Sequence, residues 1–172
     1  GEFEAALNDF SSGLELDPSN ADLFVRRARV AILQDSHEQA LADLQFARKF
    51  DPENPRIYLY LGQVYQKLDQ IGLALEQANK AIELNPRYAD ALGLKGSLLA
   101  GDQDQIDAAI QAYQMALEAT SYRPERFVIP LSQLLRADAR ADEALTELSK
   151  VADSSRESEA FSGPDVLPRR SS

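Results

Sequence analysis

The segment from Asn54 to Pro86, NPRIYLYLGQVYQKLDQIGLALEQANKAIELNP, reads as two amphipathic helices joined by a short break. In its first half Tyr58, Leu61, Tyr65 and Leu68 recur at spacings of three or four, which is one face of a helix. Asn54 is placed to cap that helix, and Pro55 suits its first position, where a missing N–H costs little. Asp69-Gln70 interrupts the run. A second helix, expected over Ile71–Leu84, carries Ala74, Leu75, Ala78, Ala81 and Ile82 on one face, and Pro86 closes it. Ala74 and Ala81 on one helix and Gly62 on the other let the two backbones approach, while Tyr58 and Tyr65 fill the volume around them.

The same unit recurs outward in both directions. Ala6, Ala40, Ala74, Ala109 and Ala144 lie at intervals of 34, 34, 35 and 35 residues, each followed by an apolar residue: Leu7, Leu41, Leu75, Ile110, Leu145. Seven residues after each alanine comes another compact residue: Gly13, Ala47, Ala81, Ala116, Val151. Pro18, Pro52 and Pro86 keep a strict 34-residue spacing. A bundle of unrelated helices does not predict a fixed period; a solenoid does, because each unit buries its apolar face only against its neighbours. The expected organisation is the second helix of an incomplete unit over 1–20, units over 21–54, 55–88 and 89–123, a degenerate unit over 124–152, and a disordered polar tail over 153–172.

On these residues the chain resembles the tetratricopeptide repeat family. Tyr58, Leu61, Gly62, Tyr65, Ala74, Ala81 and Pro86 carry the motif in the best unit. Phe24, Ala28, Ala40, Leu44, Ala47 and Pro52 carry it in the unit before, and Leu92, Gly96, Leu99, Ala109, Tyr113 and Ala116 in the unit after. The resemblance covers roughly residues 1–152. It implies an all-α, right-handed superhelical solenoid of antiparallel helix pairs, with a concave groove lined by each unit's first helix. It also implies non-catalytic binding of other proteins, as a scaffold or adaptor.

Some residues depart from the family's pattern. Arg27 and Lys95 stand where leucine is usual, so either their stems cover apolar surface or the packing there is looser. Ala78 replaces a large aromatic, and the third unit holds one extra residue around Gly101-Asp102-Gln103-Asp104. Pro130 falls inside the first helix of the fourth unit, which is expected to kink or to start late, near Val128. At the N-terminus, residues 2–16 form a second helix without its partner. The expectation is a fragment of a longer array; the alternative is an end face used for self-association.

Composition narrows the function. Eighteen Lys and Arg against 28 Asp and Glu leave the 172 residues at −10, the wrong sign for nucleic acid or an anionic membrane surface, and no apolar run is long enough to insert in a membrane. Without cysteine there is no disulfide framework or thiolate site. The single histidine, His37, sits in a turn and reads as surface. Asp102, Asp104 and Asp107 fail the helix-loop-helix calcium pattern, because its sixth and twelfth places hold Asp107 and Tyr113 instead of glycine and glutamate. Neither a cofactor nor a metal site is expected, and the chain is read as no enzyme. The compartment stays open, with the cytoplasm slightly favoured, because any targeting segment would lie upstream of Gly1.

The groove stripe follows from helical spacing. It comprises Asp22, Arg26, Arg29 and Leu33; Arg56, Tyr60, Gln63 and Lys67; Asp90, Leu94, Ser97 and Gly101; and Arg126, Pro130 and Gln133 with Arg136 adjacent. Six basic residues against two acidic ones make this surface +4 on a chain of −10. Arg26, Arg29, Arg56, Lys67, Arg126 and Arg136 would pair with carboxylates of an acidic or C-terminal peptide, Tyr60 and Leu94 would add apolar contact, and Gln63 and Gln133 polar contact. Gly93, Ser97, Ala100 and Gly101 would leave room for a bulky ligand side chain. The competing reading is that these charges are ordinary solvated helix surface. The carboxylate clamp of chaperone-binding relatives is absent in this register: its places hold Val25, Arg29, Tyr60, Asp90 and Leu94. A second functional reading is the regulatory or substrate-docking segment of a larger enzyme or of a secretion or assembly machine.

Overall fold

The computed structural model describes residues 1–120 and 124–161, with side chains through residue 151. Among them the chain forms nine α-helices: α1 (Glu2–Leu16), α2 (Ala21–Leu33), α3 (His37–Phe50), α4 (Pro55–Lys67), α5 (Ile71–Leu84), α6 (Ala89–Leu99), α7 (Ile106–Ala119), α8 (Glu125–Ala137) and α9 (Ala141–Phe161). No strand occurs among the described residues, and no helix there is long and apolar enough to cross a membrane. The closest partners are α2 with α3, α4 with α5, α6 with α7 and α8 with α9, each joined in turn to the next pair. First helices also touch one another across units, α2 on α4 and α4 on α6. The result is an all-α solenoid.

Turn chemistry repeats with the period. Asp17, Asp51 and Asn85 each follow a second helix and precede a proline. Asp17 accepts from the Ser19 amide at 3.2 Å, Asp51 from the Asn54 side chain at 2.9 Å, and Asn85 from the Arg87 amide at 3.2 Å. Asn20 and Asn54 then cap α2 and α4 through bonds of 3.1 Å from Leu23 N–H and Arg56 N–H. Inside three units the two helices are joined by a left-handed residue: Asp35, Asp69 and Ala139, at φ of 54°, 58° and 58°. The following amide reaches back to the helix, Ser36 to Ala31 O, Gln70 to Tyr65 O and Arg140 to Leu135 O, at 2.7–2.9 Å. That is the Schellman closure. The third unit absorbs its extra residue differently, in a 3-10 turn over Gln103–Gln105 capped by Asp102.

Two apolar clusters meet at α6. Leu94 and Leu98 belong to the first, with α1–α5; Leu92 belongs to the second, with Ile110, Tyr113, Phe127, Leu131 and Leu135. Small residues set the spacing, as the sequence predicts. Ala74, Ala78 and Ala81 are fully buried, and a Cβ on Gly62 would stand 2.9 Å from Leu94 Cδ2 and 3.3 Å from the Ala74 carbonyl.

Three expectations are corrected. Helix α8 starts at Glu125, not near Val128, because the Pro124 carbonyl accepts from both Phe127 and Val128 at 3.0 Å and opens the first turn. Pro130 is carried inside it, where Val128, Leu131 and Leu135 are buried in the core and hold the helix on either side. Helix α9 runs to Phe161, past the expected tail boundary at 153, since no glycine or proline interrupts the chain before Gly163-Pro164; residues 162–172 of that tail lie outside the described residues. His37, read as a surface residue, is partly buried. It opens α3 only 21 % exposed, with Nε2 out of solvent and 3.8 Å from Asp35 Oδ1.

Arg27 has a partner that helical periodicity did not reveal. Its Nε and Nη2 grip both oxygens of Asp43 on α3 at 2.8 and 2.6 Å, and Nη1 reaches Ser11 Oγ on α1 at 3.2 Å. One guanidinium therefore ties together three helices from two units.

Candidate functional site

Side chains of the first helices α2, α4, α6 and α8 converge on one surface. At its centre is a cavity of about 330 Å³ lined by Ile32 of α2; Gln63, Gln66 and Lys67 of α4; Asp90, Gly93, Leu94 and Ser97 of α6; Tyr113 of α7; and Arg126, Phe127 and Pro130 of α8. Small residues on α6 make the trough, and its neighbours make the walls. The Gln66 side-chain amide donates to Ser97 Oγ at 2.9 Å across the first wall. Phe127 and Pro130 form the other. The trough is partly filled by the chain itself: a Cβ on Gly93 would lie 2.3 Å from the Phe127 ring, so glycine is what admits that ring. Ser97 keeps the remaining floor open. Gly101, also expected to make room, lies outside the cavity, as does Ala100.

The charged stripe is divided. Asp22, Arg56, Asp90 and Arg126 occupy the second position of α2, α4, α6 and α8, so the sign alternates along the rim formed by the helix N-termini. Asp22 pairs with Arg26 on its own helix and with Arg56 on the next at 3.5 Å. Asp90 pairs with Arg126 at 2.9 Å, and that guanidinium also lies 5.5 Å from the Phe127 ring centroid. Three of the six expected cations, Arg26, Arg56 and Arg126, are thus engaged by the two acids. Arg29, Lys67 and Arg136 have no ion pair among the described residues. Lys67 ends α4 and Arg136 lies in the last turn of α8, so both belong to the opposite, C-terminal rim. Reversing Arg26, Arg56 or Arg126 would perturb the rim's own pairs, whereas reversing the other three would not.

The remaining stripe residues divide between core and surface. Leu94 is 7 % exposed and Tyr60 half-buried against the first cluster, so both support the groove floor more than they project from it. Gln63 lines the cavity; Gln133 is exposed outside it. Ile32, Gln66, Tyr113 and Phe127 line the cavity without having been read as groove residues. Each neighbours the helical stripe or comes from a second helix, and their convergence depends on how successive units are rotated. Burial pushes the Tyr113 phenol above its ordinary range, with a hydrogen bond to Ser97 acting the other way, so it stays neutral at physiological pH. Among the described residues no group of three or more His, Asp or Glu side chains is placed to hold a metal ion.

Comparison with known proteins is consistent with this architecture. The TPR repeat model matches residues 28–69 and the tetratricopeptide repeat model residues 59–124, so together they span 28–124. The human mitochondrial import receptor subunit TOM70 is 29 % identical over 129 residues, which is 68 % of this chain and 21 % of TOM70. The chain thus spans about a fifth of that relative's length. Among solved structures, MamA superposes with a TM-score of 0.74 at 21 % identity, covering 93 % of this chain and 92 % of MamA. YrrB, described as a TPR protein with an unusual peptide-binding site, gives 0.64 at 26 % identity over 89 % of this chain and 78 % of its own.

Proposed function

The chain belongs to the tetratricopeptide repeat family, a right-handed superhelical solenoid of antiparallel helix pairs, and from that premise we propose that it is a non-catalytic scaffold whose concave groove binds an acidic segment of a partner protein. The observation that carries this reading is the set of cations that have no ion pair among the described residues. Lys67 lines the cavity, Arg29 and Arg136 lie exposed on the flanking first helices, and the acids Asp22 and Asp90 already hold other arginines, while the chain as a whole is at −10. Cations without local partners on a net-acidic molecule are complementary to carboxylates brought from outside. The arrays of helix pairs hold these side chains in place before binding, so ordering falls mainly on the ligand. YrrB's peptide-binding site and TOM70's role as an import receptor subunit support the same class of work.

The second reading is that this array docks substrates or partners for a longer protein, an enzyme or an assembly machine. The observation behind it is that matching relatives are several times longer than the matched region. Both readings place recognition in the groove.

The test is capture from a lysate of the source organism by the wild-type chain beside the triple variant Arg29→Glu/Lys67→Glu/Arg136→Glu, its helicity checked by circular dichroism. The expected result is a partner held by wild type, released by salt of about 0.5 M, where exposed charges are screened within a few ångströms, and lost by the folded variant. Partners retained equally by both would move recognition to the convex face or the end helices.

A further inference from the structure

We propose that the cavity over α6 is a two-point recognition site for a bulky apolar side chain adjacent to a carboxylate in the ligand, the apolar group seated against Leu94, Phe127 and Pro130 and the carboxylate held by Lys67. This rests on the groove reading above and goes further by naming what the segment must carry.

Four features of the cavity define that ligand. Its volume, about 330 Å³, is at the small end of ligand-binding clefts, which run from about 300 to 1,000 Å³. It has room for one large side chain with its flanking backbone. Second, its floor and one wall are apolar: Leu94, the Phe127 ring and Pro130. Pro130 matters because an interior proline costs its helix a hydrogen bond, and here it puts a rigid apolar ring on the cavity wall. Third, the cavity's charges are unequal in availability. Arg126 and Asp90 neutralise each other at 2.9 Å on the N-terminal rim, whereas Lys67 on the other side has no ion partner among the described residues. A carboxylate entering the cavity is drawn to Lys67, and a cation is left with only an already paired aspartate. Fourth, Gln63, Gln66 and Ser97 line the same side and supply amide and hydroxyl groups for the peptide backbone between the two points.

The geometry also sets where longer acidic segments run. Arg136, in the last turn of α8, shares the C-terminal rim with Lys67, so further carboxylates extend along that rim and not along the paired one.

The experiment pans a phage-displayed library of random peptides on the wild-type chain. Enriched sequences are then measured as synthetic peptides by fluorescence anisotropy against wild type, Lys67→Glu, Lys67→Arg, Ser97→Trp and the triple charge reversal. The expected consensus joins a large apolar residue to Asp or Glu. Lys67→Glu and Ser97→Trp each weaken binding by about tenfold or more, equivalent to about 1.4 kcal/mol, while Lys67→Arg retains it. Ser97→Trp fills the trough without changing charge, and circular dichroism confirms that each variant is folded. Acidic peptides lost by the triple reversal but indifferent to Ser97→Trp, with no apolar preference, would overturn the two-point site and leave the groove reading intact. Peptides indifferent to every substitution, or no enriched peptide at all, would overturn both.

Discussion

Arg27 shows how much one side chain alters a repeated position. The same pair of places holds Arg27 and Asp43 in the first full unit, Leu61 and Gln77 in the second, and Lys95 and Ala112 in the third. Only the first is a matched pair, with an almost buried Asp43 at 8 % exposure gripped at two points. In the second, the place equivalent to Arg27 holds a leucine, and Gln77 Oε1 lies out of solvent with no hydrogen-bond partner among the described residues. Removing one member of such an ion pair strands the other's charge in a poorly solvated place. Arg27→Leu is expected to cost about 2 kcal/mol, less than a fully buried pair would, because the guanidinium is 27 % exposed. Adding Asp43→Ala to that variant should regain most of the loss. Urea denaturation of the two single variants and the double variant measures this; a double variant no more stable than Arg27→Leu alone would mean that the stranded carboxylate is not the source.

At the scale of elements, the three Schellman turns use the same backbone with different residues. Asp35 and Asp69 tolerate the left-handed conformation comparatively well, since a short polar side chain can bond locally, but Ala139 at φ 58° has only its Cβ clash. Ala139→Gly is expected to stabilise the α8–α9 unit by about 0.5–1 kcal/mol, the steric relief less the added freedom of the unfolded chain. The gain would be seen as a rise of a few degrees in thermal midpoint with groove binding unchanged. A fall in midpoint would show that the α8–α9 turn is not under strain. Pro130 belongs to the same scale. It interrupts the hydrogen-bond ladder of α8 and lies on the cavity wall, which is how a residue unfavourable to its helix is accommodated in a site that uses its ring.

For the whole molecule, the two core clusters joined through α6 make pH dependence a shared property. Burial pushes the Tyr88 phenol up to about 12 and raises Tyr113 as well. Tyr88 packs against the first cluster and Tyr113 belongs to the second. A phenol whose folded pKa lies above its unfolded value near 10 favours the folded state fully below pH 10. That stability is lost as pH rises through the folded pKa. Stability should therefore hold through neutral pH and decline between about pH 10 and 12. Tyr88→Phe should flatten part of that decline, as followed by circular dichroism across an alkaline series. An unchanged alkaline limb would show that Tyr88 is not a source of it.

Much of this protein was legible without coordinates. The 34- and 35-residue intervals, the small residues at Ala74, Ala81 and Gly62, and the Asn54-Pro55 helix start determine the solenoid, because helix periodicity and caps are local properties of the chain. Part of the expected stripe, Gln63, Lys67, Asp90, Leu94, Ser97, Arg126 and Pro130, lines the cavity for the same reason. What only the tertiary structure decided is which of its charges remain available. Asp22 meets Arg56 and Asp90 meets Arg126 across units more than thirty residues apart. Phe127 folds onto Gly93, and Arg27 finds Asp43 and Ser11. Each of these depends on the rotation between neighbouring units, which is set by packing along the whole array and not by the spacing within any one helix.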